Sequence, residues 1–310
     1  DCSTDDTGTI LSSLPVQVLT HNKNQGPAAA RNTGAKEAKG DILIFIDSDA
    51  YAYPDLNEKI LDIYSKNLVD YHFGGLGGQG IEREINNIYD EWRKIQSAQK
   101  FGPTHKPDVP YLYGLCCSYP RDVFNKVGGF DPFFRINAGE DLDLGIRIRK
   151  LGYRLAYDPS LRVQHFHKDT KESLLKVQYN WSYWSYISKL RTNSSTFKFV
   201  LGPYWRLIRY SVEDIVKGRT HLLNLNYEVF RAKTKAIRDV HKKKRFVNDK
   251  TMENKGLIIR KPISIFEFWQ LGREQRHKYE TLLIKIFTFV FGPLGINSRI
   301  RSGHVLSILN

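Results

Sequence analysis

Two aspartates one residue apart, Asp47 and Asp49, end the apolar run "ILIFI" in "GDILIFIDSDAYAYP" (40–54). If the chain stays extended there, residues i and i+2 point the same way and the two carboxylates crowd one spot. Like charges so placed are costly unless a cation relieves them, and hard divalent ions take carboxylate oxygens. The competing account is a helix cap, with Asp49 or Asp55 capping the next helix. A second cluster, Glu140, Asp141 and Asp143 in "GEDLDLGIRI", lies in or before the first turn of a helix. These acids either offset the helix dipole or aim one carboxylate at a sheet edge to take a proton. A third, "RVQHFH", sets His165 and His167 on one face of an extended segment, with Phe166 opposite. Such imidazoles are metal ligands or satisfied structural groups.

These side chains need elements to hold them. "PVQVLTH" (15–21) has the β-branched content and alternation of a short strand. "GPAAARNTGAKEAKG" (26–40) suits a helix packed closely on a sheet, with Gly40 as its stop. "DILIFID" reads as a strand buried on both faces, as in parallel sheets. Leu56, Ile60, Ile63 and Tyr64 recur at helical spacing. This alternation predicts an α/β domain with a mainly parallel central sheet flanked by helices. The glycine-rich "YHFGGLGGQG" (71–80) lacks the Lys-Ser/Thr ending of a Walker phosphate loop, so a strand or bend with close backbone approach is expected. A helix around "REINNIYDEWRKIQSAQ" comes next, then strand, short helix and turn in "PYLYGLCCSYPRDVFNKVGGFDP". "EDLDLGIRIRKLGY" is a helix acidic at its start, basic at its end and stopped by Gly152. "RLAYDPSLRVQHFH" is a further extended segment.

The chain has 310 residues, with 47 Lys and Arg against 33 Asp and Glu and a net charge of +14. Such a field attracts nucleic acid, anionic lipid or phosphorylated substrates without choosing among them. No nucleic-acid motif interleaves with the basic residues, so a nucleic-acid partner is not expected. Cys2, Cys116 and Cys117 form neither a metal spacing nor a disulfide framework. With no signal peptide, they point to a reduced, cytoplasmic setting. The opening "DCSTDDTGT" has no Met and no strand before it, which leads us to expect a segment upstream of residue 1.

The order of these motifs carries more than any one of them. "DCSTDDT", "GPAAARNTGAKEAKGD", the D-x-D of "DSD", "GGFDP" before "GEDLDLGIRIRKLGY", and a His about twenty-five residues later together resemble the inverting glycosyltransferases of family 2, over about residues 1–168. The resemblance implies a GT-A nucleotide-diphospho-sugar transferase fold as the catalytic domain (1–168), with its usual first strand missing upstream. It implies a metal-dependent transfer of sugar from a UDP- or GDP-sugar to an acceptor hydroxyl. Asp1 would contact the nucleotide base, Arg31 would lie near the nucleotide, and Asp47 and Ser48 would sit on the nucleotide-sugar side. Asp49 would ligate Mn²⁺ or Mg²⁺, with His165 as a further ligand and His167 as the fallback. Asp141 would be the general base and Glu140 would support or orient the acceptor, leaving Asp143 to helix-start electrostatics. The alternatives are a nucleotidyltransferase and a nucleotide-sugar-binding protein without transfer activity; the intact Glu-Asp pair argues against the second.

Residues 169–310 lie outside that resemblance and read as a mostly helical, basic and aromatic-rich region. The Q-x-x-R-W segment of processive family members is not matched by "VQYNWSYW", where Gln178 and Trp181 stand without the Arg. Trp181, Tyr183, Trp184 and Tyr186 form either an acceptor platform or helix core. "RAKTKAIRDVHKKKRF" (231–246) carries eight Lys or Arg against one Asp. Either this region holds the protein on the cytoplasmic face of an anionic membrane, with the apolar stretch 281–296 in the interface, or it is a soluble helical domain with a solvated basic face. The first account suits a lipid-linked acceptor, the second a saccharide.

Overall fold

A computed structural model describes residues 1–66 and 72–244. The described residues belong to one compact unit; residues 245–310, with the apolar stretch 281–296, lie outside the described residues. The unit is built on a five-stranded sheet of β1 (Ile42–Ile46), β2 (Ala50–Ala52), β3 (Phe73–Glu82), β4 (Cys116–Pro120) and β5 (Arg154–His165), in the order β1-β4-β3-β5-β2. Around it lie α1 (Thr7–Ser12), α2 (Pro27–Glu37), α3 (Leu56–Lys66), α4 (Ile88–Gln96), α5 (Arg121–Val127) and α6 (Glu140–Lys150). Three long helices come after them: α7 (Lys171–Arg191), α8 (Phe197–Val216) and α9 (Leu223–Lys244). The α/β expectation holds, and the described part of the C-terminal region, 169–244, is helical.

The expectation of a mainly parallel sheet does not. Only β3 and β5 pair in parallel; β1·β4, β3·β4 and β2·β5 are antiparallel. The physical reason lies in the order of strands. The β1–α3–β3 alternation does make β1 and β3 run the same way, but β4 inserts between them and runs against both. Strands β1, β3 and β5 therefore share a direction, and their carboxyl ends meet at one edge of the sheet.

Segment 15–21 is not a strand. Val16 and Val18 stand about half exposed, and the segment has no ladder partner among the described residues. Helix α2 stops at Glu37 rather than Gly40, because Ala38 turns extended while its N–H closes on the Gly34 carbonyl at 3.0 Å. The polar opening contains the short helix α1, which buries nothing. The glycine-rich segment is the central strand β3, and a Cβ at Gly78 would lie 2.4 Å from the Leu161 carbonyl oxygen of its neighbour.

Buried apolar clusters on the sheet and among the helices hold the frame. On one side of the sheet Phe45 packs against Phe124 and Phe130 with ring centroids 5.4 Å apart, over the fully buried Tyr119. Each fully buried side chain of this size contributes about 1.5–3 kcal/mol. The Cys116 and Cys117 thiols are buried in β4, and burial pushes both upward, Cys116 to about 12. On the helical side Trp92 of α4 packs with Leu174, Leu222, Leu225 and Val229, and its indole N–H donates to Asn226 Oδ1 at 2.7 Å. Arg93 and Asp169 form a buried ion pair that ties α4 to the start of α7, where Thr170 and Ser173 make a capping box.

Candidate functional site

Three strand ends and two helix starts converge at the carboxyl edge of β1, β3 and β5. Antiparallel pairing sets Ile46 opposite Cys116, so the residues after β1 lie beside Gly114, just ahead of β4. The chain does not stay extended after Ile46. The Asp47 carbonyl accepts the Ala50 N–H at 3.1 Å in a tight turn, with Ser48 exposed in it. That turn separates the two aspartates: Asp47 faces inward and Asp49, half exposed, faces the end of β5. The cap account of Asp49 falls too, since the next element in the chain is β2, not a helix.

Arg31 of α2 is the hub of the inner cluster. Its side chain is 13% exposed. Nη2 donates to Asp47 Oδ1 at 2.7 Å and to Asn137 Oδ1 at 3.1 Å, and Nη1 donates to Glu140 Oε1 at 3.1 Å. The guanidinium also lies 5.4 Å from the Phe130 ring centroid. Burial works against its charge, but Asp141, Asp47 and Glu140 outweigh it and raise its pKa. The neighbouring Asn32 fixes the helix by clamping Phe130, donating to its carbonyl at 2.7 Å and accepting its N–H at 2.9 Å. The "ARN" triplet is thus an ion-pair hub beside a backbone clamp.

Glu140 and Asp141 open α6 behind Gly139, whose φ of +87° is open to glycine at least cost. A Cβ there would also strike the backbone of Trp184 at 2.8 Å. Asp141 Oδ2 accepts the Gly114 N–H at 2.8 Å, while Oδ1 is buried without a hydrogen-bond partner. Glu140 Oε2 is likewise buried and unpartnered. Burial first, then their mutual repulsion, raises the Glu140 carboxyl; burial raises Asp141 to about 6 against the pull of Arg31. An ionised, buried carboxylate with one free oxygen and a pKa near neutral is suited to taking a proton. Asp143 instead pairs with Arg147 at 2.6 Å, one turn on.

Gly114 packs against both groups. A Cβ at Gly114 would lie 3.0 Å from Arg31 Nη2 and 3.1 Å from Asp141 Oδ1.

The outer cluster is a line of three groups. His165 ends β5, paired in register with Glu82 of β3 and Ala50 of β2. Its Nδ1 lies 3.0 Å from Glu82 Oε1 and its Nε2 lies 3.5 Å from Asp49 Oδ2. Burial disfavours its charge, but Asp49 and Glu82 prevail and push it up to about 9. The same contact with His165 lowers Asp49. Glu82 behind a histidine is the arrangement that fixes the ring of a metal-ligating imidazole. Among the described residues no group of three His, Cys, Asp or Glu side chains stands ready for a metal ion. The donor set of one imidazole nitrogen and one carboxylate nonetheless suits Mn²⁺ better than Mg²⁺. His167 sits 3.7 Å from Asp169, its ring 5.6 Å from that of His165, and burial and Arg93 lower its pKa.

The remaining expected residues are spread around this edge. Asp1 accepts from the backbone N–H of Gln25 and Gly26, at 3.0 and 2.7 Å, and meets His21 Nδ1 at 2.8 Å, so it holds the entry to α2. A hollow of about 150 Å³ opens beside it, lined by Asp1, His21, Ala30 and Thr33. Trp181 faces Tyr111 with ring centroids 6.0 Å apart, near the inner cluster. Trp184 wedges between Phe133 and Phe134 and packs on Gly139. Gln178 is buried and donates to Ser97. Sequence reasoning misses Glu82, Gly114 and Asn137. Only strand register brings Glu82 to His165, and no local signal marks it.

Comparison with known proteins bears on the family and the fold. Residues 1–128 match the sequence model for glycosyl transferase family 2. A glucosyl-dolichyl phosphate glucuronosyltransferase of Haloferax volcanii is 29% identical over 185 residues, or 54% of this chain and 56% of that protein. A pre-mycofactocin glycosyltransferase of Mycobacterium tuberculosis is 30% identical over 160 residues, or 49% of this chain and 33% of that protein. The chain therefore spans between a third and about half of the length of these relatives. Among solved structures, a mannosyltransferase from Pyrobaculum calidifontis, in complex with GDP-Man and Mn²⁺, superposes with a TM-score of 0.50 at 17% identity, covering 77% of this chain and 76% of that one.

Proposed function

Residues 1–128 belong to glycosyl transferase family 2 in a chain with the GT-A fold, and from that premise we propose that the protein moves a sugar from a nucleoside-diphosphate sugar to an acceptor hydroxyl with inversion. The observation that carries this reading is Asp141: buried, raised to about 6, with one oxygen held by Gly114 N–H and the other unpartnered.

The acceptor oxygen attacks the anomeric carbon from the face opposite the leaving group. Its proton passes to Asp141, the bond from carbon to the diphosphate oxygen breaks, and the nucleoside diphosphate leaves with the electron pair. One such displacement inverts the centre. Glu140 stays on Arg31 and borders the acceptor side. Arg31 prevents Asp47, Glu140 and Asp141 from repelling one another as Asp141 ionises. Asp49 and His165 would hold a divalent ion, Mn²⁺ in preference to Mg²⁺, with His165 oriented by Glu82. When bound, that ion offsets the charge gathering on the diphosphate.

The donor is a UDP- or GDP-sugar; the Pyrobaculum calidifontis structure, which holds GDP-Man and Mn²⁺, is in keeping with this. The Haloferax volcanii relative carries dolichyl phosphate in its name, which favours a lipid-linked acceptor over a free saccharide. A panel of UDP- and GDP-sugars, each with Mn²⁺, tests the proposal by thermal shift and by donor hydrolysis. At least one donor is expected to raise the melting midpoint in the presence of metal and to lose that effect with a chelator. No response to any donor would overturn the reading.

A further inference from the structure

Helix α8 is apolar on both faces: Phe199 and Val200 pack inward beside Tyr186, and Tyr210 beside Trp92. Its one fully buried carboxylate, Asp214, takes hydrogen bonds from Asn226 Nδ2 at 2.8 Å and from the Arg219 guanidinium, and Pro203 is buried with it. Tyr210 donates to the Gln96 carbonyl at 3.2 Å from the same inner side. Those contacts fix which face turns outward, and that face is apolar. Leu201, Tyr204, Ile208, Val212 and Ile215 recur at spacings of three and four, hence along one stripe, and are between 39% and 57% exposed. A lone exposed leucine needs no explanation. An unbroken stripe over four turns, on a helix whose inner face is already packed, marks a contact surface.

Its borders are basic. On one side Lys198 and Arg209 of α8 are exposed. On the other, Tyr204 meets Phe230 of α9 with ring centroids 5.0 Å apart, and Phe230 stacks on the exposed Tyr227 at 6.2 Å. From Tyr227 the outward stripe of α9 continues as Arg231, Lys235, Arg238 and Lys242, all exposed and again spaced by three or four. An apolar stripe with cations along both edges is the pattern of a helix lying in a lipid interface.

We infer that the outer face of α8, with the basic stripe of α9 beside it, docks the protein on an anionic lipid bilayer. Charge decides between this occupant and a second copy of the chain. The chain carries +14 overall, so self-association through this face sets cations against cations. An anionic surface attracts the same borders. No described helix is long and apolar enough to cross a membrane; a helix apolar along one outward stripe with basic borders lies on the surface. The inference does not rest on the transferase reading, since neither stripe contains a residue of the site at the sheet edge.

Flotation of the full chain with phosphatidylcholine vesicles, with and without phosphatidylglycerol, tests it. Binding to the anionic vesicles is expected, weakening with salt. Ile208→Glu with Ile215→Glu is expected to lower that binding by about ten-fold or more. Both side chains are exposed, so the melting midpoint and any donor-induced thermal shift should stay at the parent's values. Arg231→Glu with Lys235→Glu should weaken binding to anionic vesicles only. Three results would overturn the inference: a parent that stays in solution, a double glutamate variant that floats as well as the parent, or a parent that is dimeric by light scattering and becomes monomeric with Ile208→Glu. Loss of flotation with donor response intact would confirm the surface whatever the outcome for transfer.

Discussion

Asp141→Asn is expected to retain donor binding and to lose transfer by roughly 10²–10⁴-fold, the usual weight of a general base. The amide keeps the size of the carboxylate and can still accept the Gly114 N–H, which now holds Oδ2 at 2.8 Å. What it cannot do is take a proton. The pH profile provides the sharper test. Burial raises the Asp141 carboxyl from 3.8 to about 6, and only its deprotonated form is a base. Transfer by the parent should therefore climb with pH up to and through about 6 and then level off, two units above where an ordinary aspartate would put that limb. The residual rate of the Asn variant should show no such limb. Thermal shift with donor and metal, measured on both proteins, separates chemistry from binding. An unchanged rate in the variant would remove Asp141 as the base, and Glu140, whose Oε2 is equally unpartnered, would be the next group to test.

What could be read from the sequence was what is local in the chain. "ILIFI" is a strand because a β-branched run of that length has few other ways to be buried. "EDLDLGIRIRK" is a helix because its acids, its bases and the Gly152 stop agree with one another. The order of the motifs points to the family from residues far apart, without specifying their contacts. The contacts depend on register and strand order, which periodicity does not carry. β4 slips between β1 and β3, and that insertion both makes the sheet mixed and delivers Gly114 to Asp141. Glu82 meets His165 through a parallel pairing across 83 residues. The turn at Asp47–Ala50 was equally hidden. It changes the meaning of the D-x-D pair: the two carboxylates do not share a spot but serve two clusters, one on Arg31 and one on His165.

That division makes Arg31 the residue whose loss should cost the fold most. Arg31→Met removes the one cation that, among the described residues, faces Asp47, Glu140 and Asp141, and leaves three carboxyls to share a site with little solvent. Breaking a buried ion pair from one side costs about 3–5 kcal/mol, on the order of 10 °C in melting midpoint for a domain of this size. The pH dependence distinguishes this from lost packing. Without the guanidinium Glu140 and Asp141 bind protons more tightly in the folded chain than in the unfolded one. The folded state then gains from protonation, so the variant keeps most of its stability at low pH and loses it as pH rises through the raised values. The gap between parent and variant should be small near pH 5 and wider near pH 8, in denaturant or thermal melts. Arg31→Lys restores a charge but not the fork that spans Asp47, Asn137 and Glu140, and should recover part of the stability and little of the transfer. A gap equal at both pH values would mean that Arg31 acts through its packing on Phe130 rather than through its charge.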